Sequence, residues 1–207
     1  MADTATAGRR DRNRERIYDA AIALFAEHGY ESTTMDDIAA RAGLSRRSAF
    51  NHFPAKSDLS LEWTARRRAE AFAAVGESES GESGGGESGG GVVDRLRAWF
   101  RALGEQTDAR PRETEQVFLG WYTAGGPFRH PTGTPDALVP WIEAGIRDGA
   151  LAADLDPALA AAVLFDAYLG ALTRWFPLPP VGRGRVTERI DEAIGLVLAG
   201  LVVRTAA

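Results

Sequence analysis

Cysteine is absent from all 207 residues. That excludes disulfides, cysteine-ligated zinc and a thiolate nucleophile, and it fits a reducing compartment. Histidine is scarce as well: His28, His52 and His130 are the three, none with a second ligand at i+4 helical spacing, so no metal site is expected. Long apolar runs are missing. The longest uncharged stretches are the twelve residues from Val117 to Phe128 and the eleven from Ala193 to Val203, short of the roughly 20 that a membrane helix needs. The first sixteen residues are polar, hold five arginines and lack the apolar segment of a secretory leader. Alternating extended runs bounded by turn pairs are also lacking, so no sheet is expected. Together these absences lead to the expectation of a soluble, cytoplasmic chain with no membrane partner and no cofactor.

What is present is ordinary globular material, 44% hydrophobic and 26% charged, in a length that suits one large domain or two small ones. The net charge of −5 hides an asymmetry: residues 1–75 balance at +1 and residues 76–207 at −6. Between Arg9 and Arg16 five arginines stand against Asp11 and Glu15. Such a run is a solvated tail unless a neighbouring element is also directed at nucleic acid. Residues 76–91 contain eight Gly, four Ser and four Glu and nothing else, the composition of a flexible linker that as a coil spans on the order of 20–24 Å. Two chance patterns lie inside it, Gly81-Glu82-Ser83-Gly84-Gly85 and the trio Gly84, Gly86 and Gly89. They imitate a nucleophile elbow and a dinucleotide loop, but a coil supplies neither the strand nor the helix that those need.

Everything else reads as helix, and the expected fold is all-α. Ile17, Ala21, Leu24 and Phe25 recur at helical spacing up to Gly29. Thr34 stands as an N-cap with Asp36 and Asp37 in the first turn, Gly43 ends that short helix, and Ser45 caps a third that runs to Pro54. Lys56 opens a fourth. Five further segments are expected over 92–107, 112–124, 135–149, 157–176 and 185–204. The expected domains are 1–55, with a disordered arm at 1–13, then a connecting helix at 56–75, the linker at 76–91 and a helical domain at 92–207.

The stretch from Thr33 to Lys56 carries the chemistry. Two short helices about a Gly-containing turn form the motif that lays its second helix in the DNA major groove. Ile38, Ala39, Leu44, Ala49 and Phe53 are its inward positions, leaving Arg46, Arg47, Ser48 and Asn51 outside. Arg suits guanine, Asn adenine and Ser either. Thr34, His52 and Lys56 sit at helix ends or edges, where donors meet phosphate oxygens. The same spacing equally fits a plain three-helix bundle with a solvated face, and for His52 the alternative to a phosphate contact is local packing.

From Arg14 to Leu59 the chain resembles the N-terminal DNA-binding domain of the tetracycline-repressor (TetR) family of bacterial regulators. The resemblance lies in Ile17, Ala20-Ala21, Leu24-Phe25, His28-Gly29-Tyr30, Thr33-Thr34, Ile38-Ala39, Ala42-Gly43-Leu44-Ser45, Phe50 to Pro54 and Lys56-Ser57. It implies a homodimer that binds a palindromic operator in double-stranded DNA, mostly represses, and is released by a small-molecule effector in its C-terminal domain. It implies base or phosphate contacts for Arg46, Arg47, Ser48 and Asn51, and phosphate contacts for Thr34, His52 and Lys56. Phe50 stands where the family often has Tyr, so a hydroxyl contact is lost there. An activator of the same fold, an all-helical enzyme and an adaptor are the alternatives, although no nucleophile–base pattern speaks for catalysis.

In the C-terminal half, Trp99, Phe118, Trp121, Tyr122, Trp141, Phe165 and Tyr168 are candidates to wall a cavity for an apolar or aromatic effector, or equally to pack the core. The segment from Pro157 to Thr173 has Asp166 as its single charge, with Asp156 and Pro157 at its start. With the last helix it is expected to pair with a second subunit through Leu159, Val163, Leu169, Leu172, Ile194, Leu198 and Leu201.

Overall fold

A computed structural model describes residues 2–80, 91–126, 134–178 and 184–202. Among them are nine helices: α1 (Ala2–His28), α2 (Met35–Arg41), α3 (Arg46–His52), α4 (Lys56–Ser80), α5 (Val92–Ala109), α6 (Pro111–Thr123), α7 (Thr134–Arg147), α8 (Pro157–Trp175) and α9 (Val186–Leu201). No strand occurs among the described residues. A single antiparallel bridge joins Leu151 to Val202, and it ends the last helix before the residue 204 expected from its pattern. Two other elements outrun expectation. The helix α1 begins at Ala2 rather than after a disordered arm, because the Ala- and Arg-rich run has good helix propensity and no proline to break it. The helix α4 continues through Gly76 to Ser80, since one glycine costs an established helix only about 1 kcal/mol. The rest of the expected linker, 81–90, lies outside the described residues.

The chain divides into two compact units, residues 1–65 with 110–131, and residues 66–109 with 132–207. The core of the first is built on Ile17, Ala21, Leu24 and Phe25 of α1, Ile38 and Ala39 of α2, Ala49 of α3, Phe53, and Leu59 and Trp63 of α4. Val117 of α6 completes it. Residues 111–123, expected to fold with the C-terminal half, thus pack in this unit.

In the second unit α9 lies against α5 and α8, and α7 against α8 and α5. The approach of α5 to α9 depends on Gly104, where an added Cβ would come within 2.9 Å of the Thr187 Cα. One turn on, Asp108 of α5 caps α9 from outside. Its carboxylate accepts from the Val186 N–H at 2.8 Å, the Thr187 N–H at 3.3 Å and the Thr187 hydroxyl at 2.5 Å, and pairs with the Arg185 guanidinium. The preceding residue Arg185 offers no side-chain cap of its own. Helix α8 starts as its sequence indicates, with the Asp156 carboxylate accepting from the Ala158 and Leu159 N–H groups and Pro157 in the first turn. Among the described residues it alone is long and apolar enough to cross a membrane. Its Ala160, Ala161, Leu164, Phe165, Ala171, Leu172 and Trp175 are buried within this unit.

Asp108→Ala removes the cap of α9. A loss of about 1–2 kcal/mol is expected, read as a lower urea midpoint without a change in the slope of the transition.

Candidate nucleic-acid interface

The helix–turn–helix is fixed by three local devices. Thr34 and Asp37 form a reciprocal capping box: the Thr34 N–H donates to the Asp37 carboxylate at 2.9 Å, and the Asp37 N–H donates to the Thr34 hydroxyl oxygen at 3.2 Å. The Thr34 hydroxyl also donates to that carboxylate, which holds the Asp37 carboxyl below its ordinary range. The second device is the turn. Gly43, at φ +63°, and Leu44 return their N–H groups to the carbonyls of Ala40 and Ala39, a Schellman closure that requires glycine at the left-handed position. The third is Ser45, whose hydroxyl accepts from the Ser48 N–H at 3.2 Å and starts α3.

Only Ala49 of α3 is buried, so the remainder of that helix is available as a surface. Arg47 and Asn51 are exposed and make no hydrogen bond or ion pair among the described residues. Ser48 is half-buried beside them. Arg46 pairs with Asp36 at 3.0 Å, both exposed to solvent, and lies over the half-buried Phe50 ring at 5.4 Å. An exposed pair of this kind holds its arginine weakly. The His52 imidazole is half-buried, and its pKa is lowered by burial first and then by the charges of Arg10 and Arg14.

Lys56 is placed differently from the expectation of a phosphate contact. Its ammonium turns inward, donating to the carbonyls of Tyr30 at 2.5 Å and Thr33 at 2.8 Å, and stands 4.1 Å from the Tyr30 ring centroid. Those carbonyls belong to the connection between α1 and α2, so Lys56 fastens the start of the motif. Partial desolvation lowers its pKa. Thr34 is likewise engaged, in its own capping box, although it remains exposed.

Several positioning residues have no local sequence signature. The Gln116 side chain of α6 accepts from the Tyr30 N–H at 2.9 Å, and Glu113 accepts from the Trp63 indole at 2.7 Å. The Gly120 backbone lies so close to Tyr30 that an added Cβ would stand 2.3 Å from its ring. Arg14 donates to the His52 carbonyl at 3.1 Å and to Glu62 at 2.9 Å, and covers the Phe53 ring at 4.2 Å. An arginine counted as part of a charged run is thus a strut between three helices.

The aromatic candidates fall into two groups, one in each unit. In the second unit Trp99, Trp141, Phe165 and Tyr168 join Phe72 and Phe100 in a chain of rings with centroids 4.8–5.9 Å apart. The indole N–H of fully buried Trp99 has no acceptor among the described residues. In the first unit Phe118 contacts Trp121 and Tyr122, and Tyr122 is 61% exposed. The interface candidates also divide. Leu159 and Val163 of α8 face solvent, at 63% and 42% exposure, while Leu169 and Leu201 are partly covered. Leu172, Ile194 and Leu198 are spent inside their own unit's core, and the exposed apolar residue of α9 is Leu196, at 79%. On α8, apolar nearly all round, the sequence does not reveal which stripe faces inward; on α9, Leu196 shares the outer side with Arg189 and Glu192.

Lys56→Ala should lower stability by roughly 1.5–3 kcal/mol, the scale of hydrogen bonds from a charged donor. The expected outcome is a reduced melting temperature in the absence of DNA; an unchanged melting temperature with weakened DNA binding would return Lys56 to the phosphate role.

Residues 17–62 match the family model of bacterial regulatory proteins, tetR family. Over 46 residues the chain is 41% identical to IcaR, the HTH-type negative transcriptional regulator of the icaADBC biofilm operon of Staphylococcus aureus. Over 51 residues it is 43% identical to the putative mycofactocin biosynthesis transcriptional regulator MftR of Mycobacterium tuberculosis. These matches take in 22% and 25% of this chain and span only about a quarter of each relative, 25% and 26% of their lengths. The fold likeness extends much further. The crystal structure of Thermus thermophilus FadR, a TetR family transcriptional repressor in complex with lauroyl-CoA, superposes with a TM-score of 0.74 and 25% identity, covering 93% of this chain and 97% of that one. SmeT, repressor of the Stenotrophomonas maltophilia multidrug efflux pump SmeDEF, shares the fold with a TM-score of 0.67 at 23% identity, over 92% of this chain and 90% of its own. Residues 17–62 thus match the tetR family of bacterial regulatory proteins, and the fold around them is one that solved TetR-family repressors share.

Proposed function

We propose that this protein is a homodimeric, ligand-responsive transcriptional repressor that binds a palindromic operator through α3. The observation that carries the reading is the outer face of that helix. Arg47 and Asn51 project from a capped, three-way braced element and have no intramolecular partner among the described residues, which is the condition for reading base edges. Ser48 and Arg46 flank them, and His52 takes a phosphate. The −6 balance of residues 76–207 turns the remainder of the chain away from nucleic acid. The dimer forms through exposed Leu159 and Val163 of α8 and Leu196 of α9, since twofold protein symmetry suits half-sites about 34–36 Å apart or a multiple of that spacing.

The effector enters among the rings of the second unit. Its chemistry follows from their character: an apolar or aromatic body, with an acceptor atom that takes the Trp99 indole proton. Leaving that donor unmet costs about 1–3 kcal/mol, which such a ligand recovers. The Thermus repressor that shares this fold binds lauroyl-CoA, whose acyl chain is an apolar group of this kind. Release of DNA is transmitted along continuous chain, from α5 through Arg110 into α6, whose Gln116 and Gly120 meet Tyr30. That route does not pass through the glycine-rich tract.

A gel-shift titration against DNA upstream of the protein's own gene, with scrambled duplex as competitor, tests the reading. Retention that scrambled DNA cannot displace is expected, and equal displacement by both would overturn it. Arg47→Ala should weaken operator binding by about 1–3 kcal/mol and relax one operator position. For the dimer, Leu196→Glu is expected to give folded monomers in light scattering, whereas Leu198→Glu, placed in the core, unfolds the unit instead. A Leu196→Glu protein that stays dimeric moves the interface elsewhere.

A further inference from the structure

The arginine run at the start of the chain has no part in the reading so far, apart from Arg14. Its geometry follows from the helix period. Residues 10, 14, 17 and 21 share one stripe of α1. Ile17 and Ala21 on that stripe are buried in the core, and one turn toward the N-terminus the stripe becomes Arg14 and then Arg10. The core ends there, and the end of α3 takes its place: Arg14 donates to the His52 carbonyl and stacks on Phe53. Arg14 is consumed by these contacts and by Glu62. Arg10 sits one turn further out, about 6 Å along the helix. It is exposed and without an ion pair or hydrogen bond among the described residues. The acidic residues of the run, Asp11 and Glu15, are turned at least 100° away from Arg10 around the helix. The proximity of Arg10 to the end of α3 is also registered by His52, whose imidazole its charge helps to keep neutral.

We propose that Arg10 is a DNA-backbone contact, placed by α1 beside the C-terminal end of α3 to hold a phosphate flanking the major groove that α3 enters. The inference rests on the regulator reading above and extends its footprint beyond the helix–turn–helix. The occupant follows from charge complementarity: an unpaired guanidinium, beside a helix whose own outer face carries Arg46, Arg47 and Asn51, meets the anionic backbone of the same duplex. A phosphate contact of this kind adds affinity without sequence preference.

The test is Arg10→Gln in the full chain, with operator and scrambled duplex titrated at several salt concentrations. The slope of log affinity against log salt is expected to become shallower by about 0.9 for each protomer bound, with both DNAs weakened by the same factor. Arg10→Lys should retain the wild-type slope, because a phosphate accepts a point charge as well as a fork. Equal slopes for wild type and Arg10→Gln would overturn the proposal, and so would an Arg10→Lys slope as shallow as that of Arg10→Gln. Circular dichroism of Arg10→Gln should match wild type, since the side chain is exposed. NMR should show the His52 imidazole titrating at higher pH in that variant; an unmoved His52 would place Arg10 away from α3 and overturn the geometry. Failure of the regulator reading is a separate result, seen as wild-type protein that does not distinguish operator from scrambled DNA.

Discussion

Tyr30 is the residue on which the first unit converges. It follows Gly29, whose φ of +92° lets the chain leave α1 sharply. Its ring packs on Phe25 with centroids 5.0 Å apart, lies against the Gly120 backbone, and receives the Lys56 ammonium on its face. Its N–H is taken by Gln116 and its carbonyl by Lys56. Burial pushes its phenol pKa up to about 12, so it stays neutral at any physiological pH. Three helices, α1, α4 and α6, thereby converge on one residue. The capping box that begins α2 is four residues further on, so a displacement of α6 reaches the start of the helix–turn–helix through very few atoms.

The surface available to DNA is what this arrangement leaves over. Lys56 and Thr34 are committed to internal bonds and Arg14 of α1 to bracing, while Arg47 and Asn51 have no partner among the described residues. A rigid support and a face without internal partners are complementary requirements. A side chain satisfied within the protein has little to gain from a base edge, and an unsupported helix holds no register in the groove. Arg46 stands between the two cases, since its exposed pair with Asp36 exchanges readily for a phosphate or base.

The second unit is organised by close approach of backbone. Gly104 admits Thr187, and Asp108 then supplies the α9 cap that the local sequence lacks. Between these helices the aromatic chain from Trp141 through Phe72 and Trp99 to Tyr168 fills the interior, with a single buried indole donor unmatched. The exposed apolar residues then lie on the outward stripes of α8 and α9.

The sequence by itself determined what short-range physics controls. Caps at Thr34, Ser45 and Asp156, the left-handed turn at Gly43 and the helical period of Ile17, Ala21, Leu24 and Phe25 are all decided within about five residues, and each stands in the structure as its pattern indicates. The outward direction of Arg47 and Asn51 follows from the same periodicity. Tertiary structure alone decided whatever depends on partners distant in the chain. Lys56 turned inward because the fold brings the Thr33 and Tyr30 carbonyls, 23 and 26 residues earlier, within reach of its ammonium. The helix at 111–123 joined the first unit because Gly120 fits beneath Tyr30, a complementarity invisible at a separation of 90 residues. Leu164 and Phe165 went into the core and Leu159 and Val163 to the surface because, on a helix as nearly apolar all round as α8, only the neighbouring helices choose the buried stripe.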